Sequence, residues 1–443
     1  MVEPAEVEVL VVGWALPVAA PPVREAAVAI AQGRIAWIGP AAALPARFQP
    51  APRRTFSHAL LIPGLVNAHC HVQLTALRGR LQPGTPFVAW VRQLLAEWER
   101  WSREEEERST EAGLARMLHA GITTVAHVSP DPPLAPFVAS PLRAVLFHEA
   151  LGFPARWAEA RLAAAEAWLA RMEAVTATAP RIRPAVAAHA PYSVSAPLLR
   201  GLAALAQSRA VPFSIHLAET QEEAHFLRDG GGELAELLRE RGAADPAWKP
   251  PGMSPVAYAD ALGLLRRRGL AVHLNYLAPG DLPRLRQGIT ACWCPGAHRW
   301  FGHPSHPAPE LLAAAVPLAL GTDSLASNDD PDVVDPVVLE KSLVLNGQEG
   351  PDHVGRDARQ RHDDPTLRCQ VCQQAAVAVE HSTCLRRTVG AQRLHGRAGR
   401  THAARPHPSD CARGAQHPEE PSRSQRPSQA AAAPRHSTPG RRS

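Results

Sequence analysis

Eight short apolar runs, each followed by a longer stretch of helical periodicity, occupy the chain from about residue 60 to 325. The runs are LLIPGLVNAH, ITTVAHV, AVLFHEA, RPAVAAHA, PFSIHLAE, LAVHLNYL, ITACWCP and VPLALGTDS. Stretches such as ARWAEARLAAAEAWLARMEAV and SAPLLRGLAALAQSR lie between them, with apolar residues at i, i+3 and i+4. Eight β-then-α units predict an α/β protein with a (β/α)8 TIM barrel. A doubly wound open sheet is the alternative. No GxGxxG follows any of the runs, so dinucleotide binding has no support.

The rest of the chain is arranged around that barrel. VEVLVVGWAL, AAVAIAQGRIAWIG and RTFSHALLIPG read as short strands, with QGR as a hairpin turn. Residues 1–58 are therefore expected to form a small β domain, and residues 59–345 the barrel. Residues 346–443 are different. No Phe, Trp or Tyr follows Phe301, and from Thr401 to Ser443 there is no Val, Ile, Leu, Met or aromatic residue. Such a segment buries too little apolar surface to offset its ordering entropy, so it is expected to be disordered. It also holds 16 Arg, no Lys and 9 acids. Subtracting these from the totals of 47 basic and 42 acidic residues leaves 31 and 33 in the first 345 residues. The +5 net charge is thus a property of the tail, and the body has no charge signature for nucleic acid.

No run approaches a membrane span, and the N-terminus, MVEPAEVEVLVVG, has acids where a signal peptide needs positive charge. Seven cysteines without regular spacing argue for a reducing compartment. A cytoplasmic protein is expected. Cys369 and Cys372, with His381 and Cys384, have the makings of a zinc knuckle, but in surroundings unlike folded protein.

The polar residues of the barrel fall at the ends of the runs. NAHCH puts His69 and His71 two apart, so on a strand both side chains point the same way. Alone, such a pair is more often two hydrogen-bonded strand-end histidines than a metal site. Here His189 ends the fourth run, His216 and Glu219 the fifth, His273 the sixth and Asp323 the eighth. In a barrel these ends converge on one mouth. Three imidazoles and a carboxylate suit one divalent metal ion, Zn2+ or Fe2+, with a position left for water. We assign His69, His71, His216 and Asp323 as ligands. The ion makes hydroxide available at neutral pH, so no nucleophilic side chain is needed, and there is no GxSxG to supply one. Glu219 can shuttle a proton, Asp323 can take the proton of the attacking water, and His273 can hydrogen-bond the forming oxygen.

PGLVNAHCH, HAPYSVS, HLAET, VHLNYL, CPGAH and GTDSLASN resemble the motif series of the amidohydrolase superfamily. The branch most similar holds the cytosine deaminases, chlorohydrolases and methylthioadenosine/S-adenosylhomocysteine deaminases, and the likeness covers residues 6 to 332. The resemblance implies a (β/α)8 barrel, a small β-sandwich built from both chain ends, one Zn2+ or Fe2+, and loss of ammonia from an amino-heterocycle or nucleoside. By motif match it implies the same four ligands, Glu219 as acid–base residue, His273 as orienting residue and His189 as a substrate contact. In the nucleoside deaminases a Trp is followed nine residues on by a ribose-binding Glu. Trp90 and Glu99 have that spacing, with Glu97 competing for the role. PPGMSPVAYADALGLL and CPGAHRWFGHPSHP are similar to a subgroup assigned to aminodeoxyfutalosine deamination in menaquinone biosynthesis. Ala297-His298 stands where the methylthioadenosine enzymes have Ser-Asn, so His298, His303 and His306 are expected to shape a different pocket, unless they form only a Pro-rich surface loop.

Cleavage of another C–N or C–Cl bond is the enzymatic alternative, an inactive homologue the other. The family's C-terminal segment is not visible after GTDSLASNDDPDVVDP. We read this as a slip of reading frame between about 333 and 350, which translation of the other two frames tests. The expected partner is a small molecule, not nucleic acid or membrane, and a homo-oligomer is left open.

Overall fold

The computed structural model describes residues 7–328, apart from 266–268 and 287. The expected tail, the proposed frame slip and the Cys369–Cys384 group lie outside the described residues.

The N-terminal region is one four-stranded sheet of β1 (Val7–Ala15), β2 (Val23–Ala31), β3 (Arg34–Pro40) and β4 (Arg53–Leu61). Its order is β3-β2-β1-β4. Gln32 and Gly33 join β2 to β3 with φ of 52° and 72°. Both positive values make the tight turn whose twist suits a hairpin, as QGR predicts. β1 pairs antiparallel with β2 and parallel with β4, and its register with β4 slips between Val12 and Trp14. Gly13 sits in that slip, where a Cβ would run into the Ser57 carbonyl. One face buries Val9, Ala27, Ala29, Leu44 and Phe48. The described residues thus provide one layer of the expected sandwich.

The barrel strands are β5 (Leu65–Cys70), β6 (Ile122–Ser129), β7 (Arg143–Ala150), β8 (Ile182–Ala188), β9 (Phe213–Leu217), β10 (Gly269–His273), β11 (Ile289–Trp293) and β12 (Leu318–Leu320). Each overlaps one of the eight apolar runs and passes its ends by at most one residue. Neighbours pair in sequence order, all parallel. The ring closes between β12 and β5, where Thr322 N–H donates to the His69 carbonyl (3.0 Å) and His71 N–H to that of Asp323 (3.1 Å). Gly321 allows this approach, because a Cβ there would stand 2.9 Å from His69 Cβ and 3.0 Å from Cys294 Sγ.

Helices cover the outside. α1 (Phe87–Trp98) and α2 (Arg103–His119) follow β5, α3 (Leu134–Ala139) follows β6, α4 (Ala158–Thr178) follows β7, and α5 (Ala196–Ser208) follows β8. Ser102 and Glu105 cap α2 reciprocally. Phe137, Leu146, Met172, Ile182, Leu198 and Leu199 lie wholly buried between helices and strands. Each such side chain contributes about 1.5–3 kcal/mol on leaving water. That apolar layer holds the strand ends, and what they carry, in place.

Candidate active site

His69 lies near the end of β5 and His71 just beyond it. β9 presents His216, β10 ends on His273, and Asp323 follows β12. His71 Nδ1 faces the Val128 carbonyl at 2.9 Å and His216 Nδ1 the His189 carbonyl at 2.8 Å. A carbonyl only accepts, so each Nδ1 carries the proton and each Nε2 is a bare lone pair in the neutral ring. His216 Nε2 nevertheless stands 3.3 Å from both His69 Nε2 and His71 Nε2. Asp323 Oδ1 lies 3.6 and 3.5 Å from the same two atoms. Lone pairs opposed at such distances repel unless a cation shares them. Donors about 2.1 Å from a tetrahedral ion stand about 3.4 Å apart, which is the spacing found. The donor set therefore fits a divalent metal.

The titration states agree with ligation. Burial, then the field of His69, lowers His71 to about 3. Burial and neighbouring imidazoles put His216 well below the ordinary histidine value. Asp323 is held below the carboxylate range: burial opposes this, but its contact with His69 and the fields of His273 and His71 outweigh it. His69, His216 and His273 also bring ring nitrogens within 4.8 Å of one another, so His273 borders the same point.

Glu219 comes to the mouth through Ala218, a non-glycine residue at φ 51°. Its N–H donates to Glu223 Oε2 (2.8 Å), its carbonyl accepts from Asn275 Nδ2 (3.0 Å), and its carboxyl lies 3.5 Å from His273 Nε2. Burial, then Asp323 and Glu223, raise it well above the ordinary value, which favours its protonated form. Burial lowers His273 to about 3, so that ring is neutral. His273, Leu274 and Asp323 also have left-handed backbones, with φ of 76°, 55° and 58°. Together with Ala218 they concentrate strain at the strand ends, the usual place for chemistry.

His189 follows β8 and gives its Nδ1 proton to Ser193 Oγ (2.6 Å), whose hydroxyl donates to the Ala190 carbonyl (3.1 Å). Its ring lies 5.1 Å from that of His216. Trp90 is buried, and its Nε1 donates to the Ala326 carbonyl (3.0 Å), holding α1 against the chain just past Asp323. Glu99 caps α1, half exposed, and pairs with Arg241. Glu97 pairs with Arg80 and Arg100. Neither glutamate is brought into the histidine cluster.

Two residues that the sequence reading passed over belong here. Glu149, in the FHEA of β7, is buried 3.6 Å from His216 Nδ1, and burial, then Asp323, pushes it up to about 8. An acid inside an apolar run was its only signal. Asn67 Nδ2 donates to Thr322 Oγ1 (2.7 Å), and its Oδ1 accepts from Thr322 N–H (3.1 Å) and His69 N–H (3.3 Å). It therefore sets the closure that brings Asp323 to His69.

Residues 60–350 match the model of the amidohydrolase family, and residues 26–48 match an imidazolonepropionase-like composite domain of bacteria. The chain is 29% identical over 311 residues to a 5-methylthioadenosine/S-adenosylhomocysteine deaminase of Nitratidesulfovibrio vulgaris, covering 69% of this chain and 66% of that one. It thus spans about two thirds of that relative. It is 29% identical over 326 residues to the aminodeoxyfutalosine deaminase of Deinococcus radiodurans, covering 67% and 76%. A zinc-bound adenosine deaminase structure from Xanthomonas campestris aligns with TM-score 0.60 at 30% identity, over 73% of this chain and 71% of that one. The Helicobacter pylori aminofutalosine deaminase with methylthio-coformycin shares the fold, with TM-score 0.65 at 19% identity over 78% and 82%.

Proposed function

The chain belongs to the amidohydrolase family, and from that premise we propose that it is a metal-dependent aminohydrolase that removes ammonia from an adenine-type nucleoside. The observation that carries the reading is that His216 and Asp323 each stand 3.3–3.6 Å from both His69 Nε2 and His71 Nε2, beside a buried Glu219 that faces His273.

His69, His71, His216 and Asp323 would hold the cation, and the nitrogen-rich donor set supports zinc. A divalent ion supplies Lewis acidity and an acidified water at neutral pH. Glu219 would give its proton to the ring nitrogen beside the amino-bearing carbon, which makes that carbon electrophilic. Asp323 would take a proton from the attacking water. His273, neutral and 3.5 Å from Glu219, would hold the new oxygen by a hydrogen bond. A proton returned through Glu219 would let the amino group leave as ammonia. Water adds its oxygen, the C–N bond breaks, and no redox change occurs. His189 would contact the base, with Trp90 backing the entrance. Glu99 would reach a ribose only after release from Arg241.

The CPGAHRWFGHPSHP segment supports aminodeoxyfutalosine over methylthioadenosine as substrate, and with it a place in menaquinone biosynthesis. The three free cysteines among the described residues, Cys70, Cys292 and Cys294, support a reducing cytoplasm. The deciding experiment is an ammonia-release screen on zinc- and iron-loaded protein. It covers adenosine, methylthioadenosine, S-adenosylhomocysteine, aminodeoxyfutalosine, guanine and cytosine. A nucleoside turned over by the wild type but not by Glu219→Gln is the expected result. Turnover of cytosine alone, or of no compound, rejects the reading.

A further inference from the structure

The segment after β11 reaches into the proton-transfer pair from behind. A short helix, Pro295–Trp300, carries His298, and the chain beyond it carries His306. Asn275 Nδ2 donates to the Glu219 carbonyl at 3.0 Å, which fixes how the amide faces. Its Oδ1 therefore accepts from His298 Nδ1–H, also at 3.0 Å. His306 Nε2–H donates to the His273 carbonyl at 2.8 Å, and its buried ring stacks on Trp293 with centroids 4.8 Å apart. One segment thus anchors the backbones of both Glu219 and His273.

Those backbones need anchoring. Ala218, immediately before Glu219, and His273 with Leu274 are left-handed. Such backbones persist only where the surrounding structure holds them in place. The segment is itself seated firmly. Gly296 lies so close to Asn328 that a Cβ would overlap its amide, and Asn328 Nδ2 donates to the Thr322 carbonyl at 3.1 Å, next to Asp323.

We propose that His298 is a positioning residue of the reaction: through Asn275 it holds the Glu219 main chain so that the carboxyl stands against His273. This rests on the reading of Glu219 as the proton donor. In this role His298 acts through Asn275. Asn suits as its replacement, because an Asn Nδ2 stands where the His Nδ1 does and can give the same hydrogen bond to Asn275 Oδ1.

The test compares metal-loaded wild type, His298→Ala and His298→Asn in ammonia release, with metal content and a crystal structure for each. We expect His298→Ala to keep its metal and a KM within about threefold while kcat falls about 10–100-fold, the usual cost of losing an outer partner. His298→Asn should recover most of that loss. In a Glu219→Gln background His298→Ala should add almost nothing, because both changes act on one group. In crystals of His298→Ala the Glu219 carboxyl should leave His273. An unchanged kcat, a rise confined to KM, or a full additional loss beside Glu219→Gln overturns the proposal. If the wild type turns over none of the nucleosides, the functional reading fails by itself. The crystals then decide the positioning role, and a Glu219 that stays in place in His298→Ala rejects it.

Discussion

The N-terminal sheet and the barrel use strands of similar composition for different ends. β1, β2 and β3 pair with their neighbours in sequence, and β2 and β3 turn on two residues. One face packs on Leu44 and Phe48, while β4 is exposed along nearly its whole length. No described strand of this sheet buries an ionisable side chain. The barrel strands pair in parallel and need a long-range closure between β12 and β5. Their mouth buries His69, His216, Glu219, His273 and Asp323 together. Burying charge and opposed lone pairs is destabilising by itself, so the barrel tolerates at its mouth what the sheet avoids. A bound cation would turn that burden into function.

Changes at the mouth should therefore cost chemistry, and changes in the sheet only stability. The largest effect is expected for His216→Ala or Asp323→Ala. Metal content, read by elemental analysis, should drop from about one per chain to near none, and ammonia release should fall about 10⁴-fold or more. Full metal retention by either variant would break the contrast at its strongest point. Glu219→Gln keeps the shape and removes the proton, so its kcat should fall about 10²–10⁴-fold with metal retained.

A third effect concerns pH. Burial pushes the Glu223 carboxyl up to about 8 in the fold, whereas an unfolded Glu titrates near about 4.3. Between these values the folded chain keeps a proton that the unfolded chain has released. Its contribution is therefore complete below the lower value and is lost as pH rises through the upper one. Chelator-treated protein should lose a few kcal/mol of stability from pH ~5 to ~8, measured by urea unfolding, and Glu223→Gln should flatten that slope. A slope untouched by the substitution assigns it elsewhere.

Sheet substitutions complete the comparison. Gly13→Ala should cost about 1–3 kcal/mol, because the new methyl meets the Ser57 carbonyl. kcat per folded molecule should not move. Ile35, 55% exposed on β3, should accept Thr with a change below about 0.5 kcal/mol. A loss of kcat in either variant, with metal content normal, would mean that sheet and mouth are coupled.

Much of this architecture could be read before any coordinates. Apolar run length and helical periodicity located all eight barrel strands, and QGR located a hairpin. These features are local, because backbone pairing and side-chain alternation act within a few residues. His69 and His71 could be paired on strand geometry alone, and strand ends pointed to His216, His273 and Asp323. Glu149 went unnoticed because one acid in an apolar run has no periodic signature, and its importance comes only from His216 at 3.6 Å. Glu99 shows the opposite limit. Its spacing from Trp90 is a sequence fact, but its partner Arg241 lies 142 residues away.

The order of residues along the chain thus determined which segments become strands, which helices cover them, and which side chains reach the strand ends. Only the closed ring decided which nitrogen of His71 and His216 faces inward, that burial raises the Glu219 carboxyl above its ordinary value, and that His298 stands behind it through Asn275. Those outcomes depend on distances of a few ångströms between segments far apart in the chain, and on removal from water. Neither exists until the strands have met.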